Sequence, residues 1–440
     1  MFNANLRIIS DLKEFLTFVI KDRSILNIFS VSEKAFSRSR KLPFEKLVLL
    51  ISKLCKKTLS VELEDFYKEV GSFSCCSVSA FSQQRLKLKA SFFYFWNVFL
   101  CKSYYENYEK SVLRWKDYRI IAVDGSTISL INNPGLSEYF GGQNNQNCDF
   151  VLARTLYHYD VLNEIILHPQ IGPFQYGELS MAYDAIDNIE EDMITIYDRN
   201  FSNYKMIALH LWQEKEKKFV IRAKESQKII RTFIASGKYS SIVDIPPTPS
   251  AIIGLKKCGF IVSKNTFLKV RLVRVDLQNS VEVLITNLWE TEEHPTEQFK
   301  DLYFMRWGIE TNISIQKNIL QLESFSGQTV QSVLQDFFAT IMMTNLNAIL
   351  IKDAQNTIEN NCKHMKYPMK VNKNKSYGKL KTNLVSLFLD NDIEQILNKL
   401  HEHFVKEKVP IRKGRSFERI IKNRQSKSKH KTFTNYKPSF

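Results

Sequence analysis

The sequence predicts a mixed α/β core set between two helical regions, and three observations predict it. Up to about Trp115 the chain reads as all-helical. Near Tyr118 the texture changes to short β-branched runs bounded by turn residues. From near Pro295 helical spacing returns and continues to about Val405. At 440 residues the chain exceeds the usual size of one core, so two or three domains are expected. Its 44% hydrophobic share can supply a large core, and with 25% charged residues the composition is that of a folded soluble protein.

The elements follow in order. "KLPFEKLVLLISKLCKK" has helical apolar spacing, with Pro43 at a permitted first-turn position. "VELEDFYKEVGSFSCCSVSAFSQQRLKLKASFF" reads as a helix, a Gly-Ser turn and a second helix from about Ser77. That is the arrangement of a helix-turn-helix, with Arg85, Lys87 and Lys89 toward the end of its second helix. Such a pair either contacts DNA or only packs against its neighbours. "YRIIAVDGS" is a strand running into a turn, and "NNPGLSEYFGGQNNQN" is a loop. "ARTLYHYDV" and "EIILHPQIG" are two strands joined by Leu162 and Asn163, the length of a tight hairpin. "ELSMAYDAIDNIEE" is helical, "MITIYD" is a short buried strand, "NYKMIALHLWQEK" is a helix and "FVIRAK" is another strand. Three strands in series, then helix, strand, helix and strand, fit a ribonuclease-H-like core. Gln227 to about Glu293 interrupts it with "FIVSKNTFLKVRLVRVDL" and "VEVLITNLW", a β-rich insertion.

The predicted organisation is therefore a helical region over 1–115, which one reading makes DNA-binding, and a core over 116–327 with its insertion at about 227–293. A helical region over 328–405 and a basic tail over 406–440 complete it. The net charge of +16 is concentrated in two places. Lys406–Phe440 holds 12 Lys and Arg against two Glu, and Lys363–Lys381 holds seven Lys and no acid. Both are either solvated, partly disordered segments or contacts for a phosphate backbone. The tail has little apolar content and is expected to be disordered without DNA. Seven scattered cysteines with no C-x-x-C pair point to a reducing cytoplasm and away from a structural zinc site. No stretch reaches 18 consecutive apolar residues and no cleavage signal follows "FLTFVI", so neither a membrane span nor a signal peptide is expected.

The chemistry gathers in "YFMRWGIETNISIQKN". On a continuous helix Tyr303, Arg306, Glu310 and Lys317 fall within about 60° of one another. The apolar stripe of Leu302, Met305, Ile309, Ile313 and Leu320 lies about 80° away, so the polar face borders the buried one. A face serving only solubility would sit opposite it. Asp124 and Asp198 each end an apolar strand, where an unpaired acid is costly. Phosphoryl transfer in nucleic acid commonly uses two divalent cations about 3.5–4 Å apart, held by hard oxygen ligands from separate elements. Each of the two aspartates alone reads as a turn or cap residue. With Glu310 they make a candidate set.

These residues resemble the DDE transposases of bacterial insertion sequences, of the insertion-sequence-four type. That family's third acidic region is Y-x2-R-x3-E-x6-K, matched by Tyr303, Arg306, Glu310 and Lys317. Its first aspartate lies in D-G-[ST], matched by Asp124-Gly125-Ser126, and its second in D-R-x-[FY], matched by Asp198-Arg199-Asn200-Phe201. The family also places a β-rich insertion before the Glu helix. The resemblance covers roughly Tyr118 to Gly327. It implies strand cleavage and transfer at inverted-repeat ends, with Asp124, Asp198 and Glu310 holding two Mg²⁺ ions that Mn²⁺ can replace. It further implies that Arg306 and Lys317 hold phosphates, and that Tyr303 contacts a phosphate or a hairpin end. Trp289 is the candidate to hold a flipped base, or else packs against the core. His158 and His168 read as structural. The implied partners are double-stranded DNA, at element ends and target, and a second copy of the chain, in a bacterial cytoplasm at the nucleoid and with no membrane. A nuclease without strand transfer and an inactive DNA-binding remnant are the alternatives.

Overall fold

The structure is a computed structural model that describes residues 2–412 except 39, 73, 146, 147, 279, 290 and 291. It divides into two compact units, Val112–Ile313 and a helical unit formed by Met1–Ser111 with the chain from Ser314 onward.

The helical unit opens with α1 (Phe2–Lys21), α2 (Arg23–Ile28), α3 (Phe44–Ser52), α4 (Leu59–Glu69), α5 (Val78–Arg85) and α6 (Ser91–Asn107). α4 and α5 are the helix pair expected from the sequence. Gly71 adopts φ 67°, which suits a residue without a Cβ, and the Ser77 hydroxyl caps α5 by accepting from Ala80 N.

The second unit carries a ten-stranded mixed sheet. Its strands are β1 (Arg119–Ser129), β2 (Gly142–Asn145), β3 (Cys148–Asp160), β4 (Ile165–Ile166), β5 (Gln170–Pro173), β6 (Met193–Tyr197), β7 (Lys218–Arg222), β8 (Ser240–Ile245), β9 (Leu268–Asp276) and β10 (Val281–Thr286). They lie in the order β2-β3-β1-β6-β7-β10-β9-β8, with β4 and β5 paired to β3. β3 is antiparallel to β1, whereas β6 is parallel to β1 and β7 parallel to β6. A three-stranded antiparallel series followed by two parallel strands reached through helices is the ribonuclease-H-like arrangement. α7 (Pro134–Phe140), α8 (Glu178–Asp184) and α9 (Tyr204–Leu211) lie within this core.

The hydrophobic pattern explains which strands are central. Every residue of β6 is buried, as are Arg119–Val123 of β1, because a parallel pair inside a sheet is covered on both faces. The insertion adds α10 (Lys228–Ala235) and α11 (Pro249–Lys257) beside its three strands, so it is less purely β than its text suggests. Its last strand, β10, pairs with β7, and the insertion's strands thereby extend the core sheet. "FIVSKNTF" joins no strand; the ladder begins only at Leu268.

The stretch beginning at Tyr303 is not one helix. α12 (Phe299–Phe304) and α13 (Trp307–Asn318) are separated by Met305 and Arg306. There the backbone tightens: Arg306 N donates to Tyr303 O, Gly308 N to Met305 O and Ile309 N to Arg306 O, all one residue closer than α-helical bonds. The wheel drawn through a continuous helix therefore changes at this turn. Tyr303 and Arg306 become buried, at 7% exposure each, and Leu302 and Ile309 are fully buried.

The rest of the helical unit comprises α14 (Val330–Asn361), α15 (Lys373–Leu389) and α16 (Ile393–Lys406), with β11 (Met369–Val371) antiparallel to β12 (Lys408–Pro410). α14 is long and apolar enough to cross a membrane by length and composition, but 83% of that stretch is buried inside the protein. Asn345 on this helix is bonded to Asn97 within the unit. The basic stretch Lys363–Lys381 folds into β11 and the first turns of α15, and Lys381 is buried against Glu62. The tail begins as β12, and the expectation of disorder beyond 412 lies outside the described residues.

Candidate active site

The sheet register places two of the acids. Val123 stands opposite Tyr197 on the neighbouring parallel strand, so Asp124 and Asp198 are the next residues on two strands about 4.8 Å apart. Asp124 is the first residue of β1 to leave the fully buried run. Its Oδ1 accepts from Gly125 N at 2.8 Å. Asp198 caps the short turn that follows β6, accepting from Asn200 N at 2.8 Å.

The third acid reaches them through an arginine. Arg306 Nη2 donates to Glu310 Oε1 at 2.9 Å, and its Nη1 lies 3.8 Å from Asp124 Oδ2. One guanidinium thus stands between the acid of β1 and the acid of α13. It also lies 5.0 Å from the Trp307 ring centroid and 5.8 Å from that of Tyr303. At Gly308 α13 passes the end of β3, where an added Cβ would sit in ordinary contact with Val161 at 3.5 Å.

The electrostatics of this corner are those of crowded anions. Burial chiefly, and then the charges of Asp198 and Glu178, push the Asp124 carboxyl up to about 6 against the pull of the Gly125 N–H and Arg306. Two donors in the corner have no protein partner, the Tyr303 hydroxyl and Arg306 Nε, although both are buried. Burial raises the Tyr303 pKa to about 12, so it stands as a neutral donor.

Among the described residues no three His, Cys, Asp or Glu groups are close enough to ligate one ion, with Arg306 lying between Asp124 and Glu310. The donor set nevertheless fits a hard divalent cation. It offers carboxylate oxygens from β1, from the turn after β6 and from α13, the donor type that such an ion takes.

The remaining candidates fall elsewhere. Lys317 lies near the end of α13, within the segment that belongs to the helical unit, and burial lowers its pKa against the charge of Glu323. Trp289 is half-buried just beyond β10, next to Leu288, whose carbonyl accepts from buried Arg271 at 3.1 Å. Arg85 faces inward. It is 3% exposed and binds Asp336 at 2.8 Å, Gln335 at 2.9 Å and Ser326 at 2.9 Å. Its guanidinium holds α5 to α14 and is closed to a DNA phosphate. Lys87 and Lys89 remain at the surface edge, donating to Gln84 Oε1 and Ile28 O. His158 and His168 are packed within the sheet unit, their rings 5.9 Å apart.

Sequence reasoning missed Glu178 and Arg154. Glu178 opens α8 and pairs with Arg154 at 3.1 Å, against the face of β1 that carries Gly125 and Thr127. An acid in the first turn of a helix is commonplace, and nothing in the sequence ties it to residue 154.

This order of antiparallel and parallel strands is that of a ribonuclease-H-like core. Residues 115–346 match the family described as "Transposase DDE domain", and the chain belongs to that family. It is a DDE-type transposase, and proteins of this family use divalent metal ions. Among solved structures it is similar to "Cryo-EM structure of piggyBac transposase synaptic complex with hairpin DNA (SNHP)", with 11% identity and a TM-score of 0.39 over 90% of this chain and 81% of that one. No curated protein matches it in sequence.

Proposed function

We propose that the chain is a cut-and-paste transposase of the insertion-sequence-four type, cleaving and rejoining DNA at the inverted-repeat ends of its own element. The observation that carries this reading is the corner itself. Asp124 lies where the buried run of β1 stops, Asp198 directly follows the adjacent parallel strand β6, Glu310 reaches Asp124 through Arg306, and two buried donors there await an acceptor.

In this reading Asp124, Asp198 and Glu310 hold two Mg²⁺ ions, which Mn²⁺ can replace. Bound there, the ions would polarise the scissile phosphodiester and lower the pKa of the attacking hydroxyl. The chain's own residues do the rest. Arg306 turns its fork from Glu310 to a phosphate, the Tyr303 hydroxyl donates to a phosphate oxygen, and Lys317 adds a point charge. Trp289 holds a flipped base.

Two adjoining clefts in the helical unit, of about 360 and 340 Å³, supply sequence-independent DNA contacts. They are lined by Lys34, Arg38, Arg40, Lys41 and Lys87 with no acidic side chain. Among the described residues none of these cations has a carboxylate partner. Lys89 and the cations of the basic tail make phosphate contacts of their own, and two copies of the chain join two DNA ends in the bacterial cytoplasm.

The test uses a duplex carrying the DNA that flanks the coding region, with Mg²⁺ or with a chelator. Cleavage followed by joining to a second duplex supports transposition. Cleavage without joining makes the chain a nuclease, and binding with neither makes it an inactive remnant.

A further inference from the structure

Under the proposed function Lys317 holds a phosphate, and a flexible lysine does so efficiently only from a fixed backbone. We infer that Lys56 is the positioning residue for Lys317, acting through the turn 321–324 by which the chain leaves α13. The inference rests on the reading that Lys317 contacts DNA near the scissile bond.

The chain leaves α13 by folding back on it. Ile319 N and Leu320 N both donate to Ile315 O, at 2.8 and 3.1 Å, and Leu322 N returns to Gln316 O at 2.9 Å. Gln316 directly precedes Lys317, which stands in the last turn of α13, and Gln316, Leu320 and Leu322 are fully buried. Gln321 carries the reversal at φ 48°, a left-handed conformation that a residue with a Cβ keeps only when its surroundings hold it. Ser324 N closes the turn by donating to Gln321 O at 2.8 Å.

Lys56, between α3 and α4, supplies the hold. Its Nζ donates to Gln321 O at 3.0 Å and to Ser324 O at 2.7 Å, the carbonyls at the two ends of the turn. Bonds from a charged donor are about twice as strong as those from a neutral one. The base of the lysine is itself fixed. Lys56 N and Lys57 N donate to Oε1 of buried Glu62 at 2.9 and 3.0 Å, and Glu62 pairs with Lys381 at 3.1 Å. Farther along, Ser326 is bonded to Arg85 and Asp336, so the segment after the turn is anchored as well.

The turn acts on Lys317 in two ways. Its backbone is bonded to Gln316, and Glu323 stands between the two clamped carbonyls. Burial lowers the Lys317 pKa, and the charge of Glu323 works against that shift and favours the ammonium. A turn freed from Lys56 would lose its grip on the end of α13 and carry Glu323 away with it.

The test is a double-variant cycle. Mg²⁺-dependent cleavage at saturating flanking-sequence duplex is measured for the native chain, Lys56→Met, Lys317→Ala and the two combined, each below its own melting temperature. Lys56→Met keeps the length of the stem and loses both charge and donors. It should bind duplex within a few-fold of the native chain and cleave it about tenfold more slowly. In the Lys317→Ala background the same substitution should change the rate by less than about twofold, because the group that Lys56 positions is gone. Lys56→Arg, which keeps charge and donors, should retain most of the native rate. If Lys56→Met does not fold, Lys56→Gln, which keeps a neutral donor for the turn, carries the same cycle. An equal loss of rate in both backgrounds would make Lys56 a general staple of the fold and overturn the inference, as would native-rate cleavage by the Lys56 variant. Native-rate cleavage by Lys317→Ala would overturn the phosphate contact of Lys317 and the inference with it.

Discussion

Tyr303 and Arg306 show what a single side chain contributes at this corner. The Tyr303 hydroxyl is buried with no protein partner, a state that costs about 1–3 kcal/mol. Tyr303→Phe should therefore leave the melting temperature unchanged or raise it, while slowing cleavage of flanking-sequence DNA. A phenylalanine variant that cleaves at the native rate would leave the hydroxyl without a role. Arg306→Lys keeps one charge between Asp124 and Glu310 but loses the fork, so cleavage should fall by about ten- to a hundredfold. Cleavage kinetics at saturating DNA measure that loss. Asp124 and Asp198 were legible because an acid closing an apolar run stands out, but Asp124 does not end its strand: β1 runs on through Gly125 to Ser129, where the sequence reads as a turn. The approach of Glu178 to Gly125 was not legible, since it exists only once β1 and α8 are packed.

At the scale of elements, the same gap between pattern and packing explains Arg85 and the opening helix. The helix-turn-helix was legible from its Gly turn and Ser cap, but the direction of its cations was not. Arg85 meets Asp336, 251 residues away, and a single sequence carries no mark of such a pairing. Arg85→Ala would leave Asp336 buried without its countercharge, with only Ser326 still bonded to it, and should destabilise the protein by about 3 kcal/mol. Lys87→Ala and Arg40→Ala, which line the basic clefts, should change stability by no more than about 0.5 kcal/mol. Each should instead flatten the salt dependence of DNA binding by about one phosphate contact. Denaturant titrations and binding measured across a salt series separate the two effects, and equal effects in all three variants would contradict this division. The turn at Met305–Arg306 was hidden because helical periodicity persists on both sides of it. Only the tightened backbone bonds reveal that Tyr303 and Glu310 belong to different helices.

The molecule as a whole carries a pH dependence set by buried imidazoles. Burial lowers His158 and His210 to about 3, and both are fully enclosed in the sheet unit. His210 Nε2 lies 3.0 Å from the Tyr197 hydroxyl and Nδ1 3.2 Å from the Lys217 carbonyl, partners that suit a neutral ring. A group with a depressed folded pKa contributes stability above its unfolded value near 6.5 and loses it as pH falls toward 3. Each histidine should remove about 1.4 kcal/mol per pH unit in that window. His210→Gln should shallow the acid limb by that amount, as read from denaturation midpoints between about pH 6 and pH 4. An unchanged slope would place the titration elsewhere. At this scale the order of strands and helices was legible, because each element carries its own period and turn signals. The insertion's membership of the core sheet was not, because β10 pairs with β7 across a stretch that local pattern treats as separate.

The central claim is that Glu310 acts with Asp124 and Asp198 on a DNA phosphodiester. Glu310→Gln is nearly isosteric and removes only the anionic oxygen, while DNA affinity rests mainly on phosphate contacts made elsewhere. The most direct measurement compares native and Glu310→Gln chains on duplex DNA from the flanks of the coding region, following binding and Mg²⁺-dependent cleavage in the same samples. The account predicts binding retained within a few-fold and cleavage abolished. Cleavage by Glu310→Gln at the native rate, or loss of binding and cleavage together, would contradict it.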